Sequence, residues 1–445
     1  MSVKSQDRNG PGPSVLEESG LEATGNRVPT RGWVVLGVLI IFMLINYADR
    51  TVLALAGSYI IDDLGLTSTQ FGFLGSAFYF LFAVSAVLVG IMGSRLPLKW
   101  LILGLAILWG ITQMPVFALG TWGSLAFSRI SLGATEGPAS GLSNTVSYTW
   151  FPDSKRGLPS AALNAGTAAS KIIAGPLIAL VIITWNWRAA FLTVALISFA
   201  WALLWLFVGK LGPVGLAEEA QPMTMRERWM PVLRAMRTRT FIGLLIVTVP
   251  LYGLVAVMTT WFPLYMEKGL GMDEVTAGIL IAAPAIGAVL GALSFGALSD
   301  AMARRGASPR QARGLLCSGL VALCGGTLVV FSLVSLQGYL AVAVLSLIYG
   351  IGMGGLPLAL PSVGALVDRR LRSTILGTFL GVQSISGVAA PLFVGIIQDQ
   401  FAEPLPGFLT SFMVLGGLTL IGGLIGAVMV DPARDSVQPV AANNG

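Results

Sequence analysis

From Trp33 to Val430 the chain alternates apolar runs of about 20 residues with short polar breaks, and a helix of that length crosses a hydrocarbon core of ~30 Å. Twelve such runs can be placed, over residues 33–58, 71–93, 99–119, 122–149, 158–183, 188–209, 240–265, 275–298, 313–335, 338–362, 373–397 and 407–430. A membrane barrel would instead need short strands of alternating hydrophobicity, and the pattern contains none. Only 11% of the residues are charged and the mean hydropathy is +0.81, which removes an ordinary soluble enzyme from consideration. Enzyme readings are disfavoured further because no phosphate-binding loop, nucleophile elbow or zinc-protease motif occurs. The expected class is an all-α membrane protein.

The net charge of +6 raises the question of an acidic partner such as nucleic acid, until the basic residues are located. With the N-terminus inside, nearly all Lys and Arg outside the runs fall in the tails and the even-numbered loops. Arg188 and Lys268 are the exceptions, while Asp62, Asp63, Asp273 and Glu274 sit in loops on the other side. Cytoplasmic loops retain basic residues, so both termini are expected in the cytoplasm of a bacterial inner-membrane protein, and the partners are the bilayer and a small solute, with no nucleic acid. Residues 1–30, rich in Gly, Pro, Ser and charge, read as a disordered cytoplasmic tail, and 433–445 as a second tail.

The longest internal break, 210–239, separates six-helix bundles over 31–209 and 240–432. Within it Trp229, Val232, Leu233 and Met236 have helical spacing with arginines between them, as expected of a linker helix on the inner leaflet. The halves echo each other. Gly72, Gly90 and Ser94 match Gly278, Gly296 and Asp300 at identical spacing, and Gly133 and Pro138 match Gly352 and Pro357.

Charges inside a membrane cost roughly 2.5–3.5 kcal/mol each at a helix centre, so the few present carry information. They are Asp49 and Arg50 in the first run, Arg129 and Glu136 in the fourth, Lys171 in the fifth and Asp300 at the end of the eighth. Asp49 and Arg50 are adjacent and point about 100° apart on a helix, so they need not pair with each other. Arg50 can bind a substrate carboxylate or form a buried ion pair with another helix, for example with Glu136. Arg129 and Glu136 lie seven apart on nearly one face, which Ser140, Ser143 and Ser147 continue, with Asn144 and Tyr148 beside it. Lys171 follows Thr167 by one turn and can serve a second substrate carboxylate or act as a counter-ion for Glu136. Neutral candidates in the second half are Tyr252, Trp261, Tyr349, Gln383, Ser384 and Ser386, with the aromatics equally readable as packing and Trp261 as an interfacial anchor. Histidine is absent, so proton-linked chemistry falls to a carboxylate, a lysine or water. Cys317 and Cys324 have no metal spacing and read as small buried hydrophobes.

The twelve runs, the central linker and GALSDAMARRG at 296–306 resemble the major facilitator superfamily, which implies two six-helix bundles related by pseudo-two-fold symmetry and transport by alternating access. The first-half copy, GIMGSRLPLK at 90–99, departs from the pattern by having Ser94 where an acid is usual, and Asp300 keeps the implied gating role in the second half. Within that superfamily, NYADR at 46–50, R-x6-E-G-P at 129–138, WFP at 150–152 and KRG at 155–157 resemble the anion:cation symporters. The resemblance implies proton-coupled uptake of an organic carboxylate without a bound cofactor. Asp49 and Glu136 would carry protons, Arg50 would bind the substrate with Asn46 and Tyr47 nearby, and Arg129 would be a coupling residue toward the cytoplasmic side. Phe82 and Ala86 stand near positions where sugar-acid members carry Tyr and Gln, which favours a less hydroxylated carboxylate. A monomer is expected. Competing readings are a proton-driven exporter of amphiphilic compounds and a non-transporting receptor. Three buried cations argue against the first and the lack of room for a signalling domain against the second.

Overall fold

The computed structural model describes residues 28–92, 97–152, 155–213 and 224–436, and all regular secondary structure among them is helical. Ten helices or continuous helix pairs are long and apolar enough to cross a membrane. The other two crossings are the second span, Ser68–Met92, and the fourth, which is broken into Trp122–Glu136 and Ala139–Tyr148. Pro138 causes that break, since it has no N–H to give the carbonyl of Ala134. The first span, Thr30–Leu55, restarts at Gly57 and runs on to Leu64, further than hydropathy indicates. The segment at 1–27 lies outside the described residues, as does Ser94.

The first span packs on the fifth (Gly157–Thr184), the second on the fourth, and the third (Leu98–Leu119) on the sixth (Trp187–Val208). The same partnerships recur six spans later. The seventh (Arg239–Thr260) packs on the eleventh (Arg372–Gln383 with Ile385–Gln398), the eighth (Glu274–Leu280 with Ala282–Arg304) on the tenth (Gly338–Gly364), and the ninth (Leu316–Val334) on the twelfth (Pro404–Met429). These are two six-helix bundles of common plan. Small residues set the closest approaches: a Cβ on Gly133 would collide with the carbonyl of Phe78 in the second span, and one on Gly291 with that of Gly350. The linker contains a helix, Met225–Met236, started by a reciprocal Thr224–Glu227 cap; Val232 and Ala235 are buried while Met225, Met230 and Leu233 are exposed.

The bundles meet through the second and eleventh, fifth and eighth, and first and seventh spans. Among the described residues, every hydrogen bond and ion pair between the halves lies toward one end. There the Asp399 carboxylate accepts from the backbone N–H of Ser68 at 2.7 Å and of Thr69 at 2.9 Å, capping the second span from the opposite bundle. Lys268 pairs with Asp62 at 2.7 Å, and Ser58 Oγ donates to Glu267 Oε2 at 2.5 Å. The backbones close in beneath them, where Gly72 leaves only 2.6 Å between an added Cβ and the Pro391 carbonyl oxygen. The halves are therefore latched at this end.

Glu267 follows the seventh span in the π-helical turn Tyr265–Gly269. Burial pushes its carboxyl up to about 7; Glu274 and Asp62 add to the rise, while Ser58 and Lys268 oppose it. A carboxyl freed by opening would return toward its ordinary value of about 4.3, so proton binding stabilises the latched state. That contribution is complete below the ordinary value and is lost as pH rises through about 7. Spin labels across this end should report a growing closed fraction as pH falls from about 8 to about 5, with a much flatter response in Glu267→Gln. An unchanged response in that variant would show that another group titrates the latch.

Candidate functional site

The two adjacent charges of the first span are directed to different places. Asp49 is fully buried inside the first bundle, where Gln113 Nε2 of the third span donates to its Oδ1 at 2.8 Å. Gln113 Oε1 in turn accepts from Ser128 Oγ at 3.1 Å and from Arg129 Nη2 at 3.4 Å. Arg129 also donates through Nη1 to the backbone carbonyl of Asp49 at 3.2 Å, and its guanidinium carbon stands 5.7 Å from the centre of the Phe191 ring. The second oxygen of Asp49, Oδ2, is buried without a hydrogen-bond partner among the described residues.

Arg50 faces the junction of the bundles. Its Nε donates to Glu136 Oε2 at 2.7 Å, making the ion pair that the sequence left as one of two options. The guanidinium carbon lies 4.6 Å from the ring centres of Tyr47 and Phe78 and 5.0 Å from that of Phe82. Its two terminal nitrogens donate to no acceptor among the described residues, and Glu136 Oε1 is likewise unpartnered. Arg50 lines a small cavity between the halves together with Leu53, Phe78, Tyr79, Arg129 and Thr260. Tyr252 of the seventh span meets Tyr79 edge-on across the junction, with ring centres 6.1 Å apart.

Other anticipated residues have different placements. Asn46 is buried one turn before Arg50, with its Nδ2 unpartnered. Asn144 and Tyr148 converge on Ser160 of the fifth span, at 2.8 and 2.6 Å, two to three turns along from Glu136 and apart from the Arg50 pair. Thr167 donates to the carbonyl of Asn164 in its own helix, and Ser384 to that of Gly381. Gln383 is buried with Oε1 unpartnered, where the eleventh span is interrupted between Gln383 and Ile385. Asp300 is exposed, with no ion pair among the described residues. The side chains of Lys171 and Ala86 lie outside the described residues. Trp261 is no interfacial anchor: it is buried, donates to the Pro391 carbonyl at 3.0 Å and packs edge-on against Phe71 and Phe408. Tyr349 is buried, as are both cysteines, which are free thiols. Gln113 and Tyr79 were not anticipated. A lone amide in the otherwise apolar third span was the available signal for Gln113, by the same reasoning that singled out Gln383.

Residues 39–391 match the profile of the Major Facilitator Superfamily. The chain belongs to that superfamily. It is a transporter and not an enzyme, and its relatives are of the anion:cation symporter type. It is 25% identical over 419 residues to a hexuronate transporter of Bacillus subtilis, covering 92% of this chain and 97% of that one. It is 26% identical over 422 residues to a probable sulfoacetate transporter of Cupriavidus necator, covering 89% and 93% of the two chains. A D-galactonate transporter of Escherichia coli is 25% identical over 438 residues, with 91% and 96% covered. Among solved structures, a bacterial homologue of the human lysosomal transporter Spinster, inward-facing and unoccupied, superimposes with a TM-score of 0.76 at 17% identity, covering 92% of this chain and 99% of that one. A D-xylose-proton symporter gives 0.70 at 14% identity, covering 91% and 99%. At these identities the structures establish the fold.

The ion pair yields a direct energetic test. Removing one member of a buried pair leaves the other charge uncompensated, at a cost of about 3–5 kcal/mol, whereas replacing both by apolar residues can be nearly neutral. Arg50→Met and Glu136→Met should therefore each lower thermal stability in detergent markedly, and the double variant should lose less than the sum of the singles. Strict additivity would show that the pair carries no coupling energy.

Proposed function

We propose that this protein is a proton-coupled symporter that takes up a small organic carboxylate. The observation that carries the reading is the half-engaged state of Arg50, which lines the cavity between the bundles: Nε holds Glu136, while the two terminal nitrogens have no acceptor among the described residues. A carboxylate arriving there can dock on that fork, the bidentate geometry that guanidinium favours. The incoming anion weakens the hold of Arg50 on Glu136, so Glu136 retains a proton more readily when substrate is bound. By linkage, a proton on Glu136 must favour substrate to the same extent. Asp49, held on one oxygen by Gln113 and without a partner on the other among the described residues, supplies a second carboxyl with the same capacity, and Arg129 holds its backbone carbonyl and the Gln113 amide.

With both termini in the cytoplasm, as the distribution of Lys and Arg supports, the latched end faces outward and the protein is inward-facing. The relatives include transporters named for hexuronate, galactonate and sulfoacetate, all organic anions. The collar of Tyr47, Phe78 and Phe82 around Arg50, with Leu53 on the cavity wall, supports a substrate body with fewer hydroxyls than galactonate. Micromolar binding of galactonate by the purified protein would overturn that part of the reading. No bound cofactor is required, because protons drive the cycle. The protein works as a monomer in this reading, because the cavity is walled by both bundles of the same chain.

In proteoliposomes with an imposed proton gradient, an accepted carboxylate should accumulate, and accumulation should collapse on adding an uncoupler. Asp49→Asn and Glu136→Gln should each keep counterflow exchange within a few-fold of wild type while losing more than about 90% of gradient-driven accumulation, since an amide fixes the neutral state. Normal accumulation by both variants would remove these carboxylates from proton coupling.

A further inference from the structure

Gln113 is wholly buried in a span whose remaining residues are almost all apolar, and every polar atom of its amide is in use. Its orientation is fixed by chemistry. The guanidinium of Arg129 can only donate, so the amide oxygen must face it, and the amide nitrogen must then face Asp49. The N–H aimed at Asp49 Oδ1 occupies a lone pair of that oxygen and lowers its basicity, leaving Oδ2 as the better seat for a proton. Oδ2 is buried without a partner, and no side-chain ion pair joins Asp49 to Arg129 among the described residues. The amide is therefore the side-chain link between the carboxyl and the cation.

We propose that Gln113 is a positioning residue that determines which oxygen of Asp49 carries the exchangeable proton, holding Oδ1 as an acceptor so that the proton binds at Oδ2. The step is a simple proton transfer: hydronium loses H⁺ to Oδ2, its own O–H bond breaking as the Oδ2–H bond forms and leaving water, and on release the Oδ2–H bond breaks and water takes the proton. Arg129 polarises the amide by donating to its oxygen, which strengthens the N–H···Oδ1 bond while Asp49 is charged. The proposal rests on the reading of Asp49 as a proton carrier and goes beyond it by naming the atom and the residue that selects it.

The test needs no substrate. Infrared difference spectra of the full-length protein in lipid, recorded across a pH titration, should contain a carboxylic-acid C=O band that disappears in Asp49→Asn. In Gln113→Leu the carbonyl loses its donor, so that band should move to higher frequency. Its titration midpoint should move about 1–2 pH units to the alkaline side, the equivalent of one hydrogen bond to a charged group. The Glu136 band, identified by its loss in Glu136→Gln, should stay where it is in the same sample. Gln113→Met carries the same expectation and serves if the leucine variant does not fold, and Ser128→Ala should leave the Asp49 band in place. An Asp49 band unmoved in both Gln113 variants would overturn the positioning role. Asp49 and Glu136 bands that shift together would overturn it as well, assigning Gln113 to general packing. Absence of any titrating Asp49 band in the wild type would defeat the proton-carrier reading itself, a result distinct from either.

Discussion

A charge in hydrocarbon must be paired, hydrogen-bonded or neutralised, and the centre of this protein is arranged around that constraint. Two adjacent residues of one helix solve it in different ways because a helix turns them about 100° apart. Asp49 enters the interior of the first bundle and is held by a neutral amide, whereas Arg50 enters the junction between bundles and is held by Glu136 and three aromatic rings. The close packing of the second and fourth spans is what makes the second arrangement possible. Gly133 brings the backbone of Phe78 against the fourth span one turn before Glu136, and the rings of Phe78 and Phe82 then reach over the guanidinium. A larger residue at Gly133 would separate the rings and the carboxylate from the same cation.

The number of crossings was legible from run length, because bilayer thickness fixes how many apolar residues a span requires. Their interruptions were less so. Hydropathy is blind to the break at Gly137–Pro138 and to the extension of the first span through Leu64, since one depends on a missing N–H and the other on an amphipathic turn beyond the membrane run. Rarity of charge singled out Asp49, Arg50, Arg129 and Glu136, which the structure brings near one another, together with Asp300, which is exposed. It did not lead to Gln113, which is as buried as any of them but uncharged, and whose importance depends on three partners from two other spans. Asn144 and Tyr148 differ in the other direction. They share a stripe with Glu136 in the sequence, yet Ser160 on the neighbouring helix gathers them into a separate cluster.

Duplication supplied the scaffold and not the chemistry. The partnerships of the first six helices recur in the last six, but the positions matching Arg129 and Glu136 are Ile348 and Gly355. Around Arg50 the described residues of the second bundle contribute Thr259 and Thr260 to the cavity wall and Tyr252 against Tyr79, all of them uncharged. One half holds the charges in a fixed frame and the other covers them.

Latch and site are connected through two helices. Ser58 follows Arg50 by eight residues in the first span and its extension, and Glu267 follows Thr260 of the cavity wall by seven beyond the seventh span. A displacement of the first span against the seventh that opens the latch must therefore also change the cavity around Arg50. The contacts of the latch suit that role. Lys268–Asp62 is exposed, with side chains 39% and 63% accessible, and exposed pairs contribute only about 0–1 kcal/mol. The Asp399 carboxylate on two backbone N–H groups and the Ser58–Glu267 bond are the stronger contacts of the latch, so most of its hold comes from them. The strongly held groups, Arg50 with Glu136 and Asp49 with Gln113, lie within the first bundle and need not separate when the halves move. Separating the halves would thus break the contacts between the bundles and leave these buried ones intact.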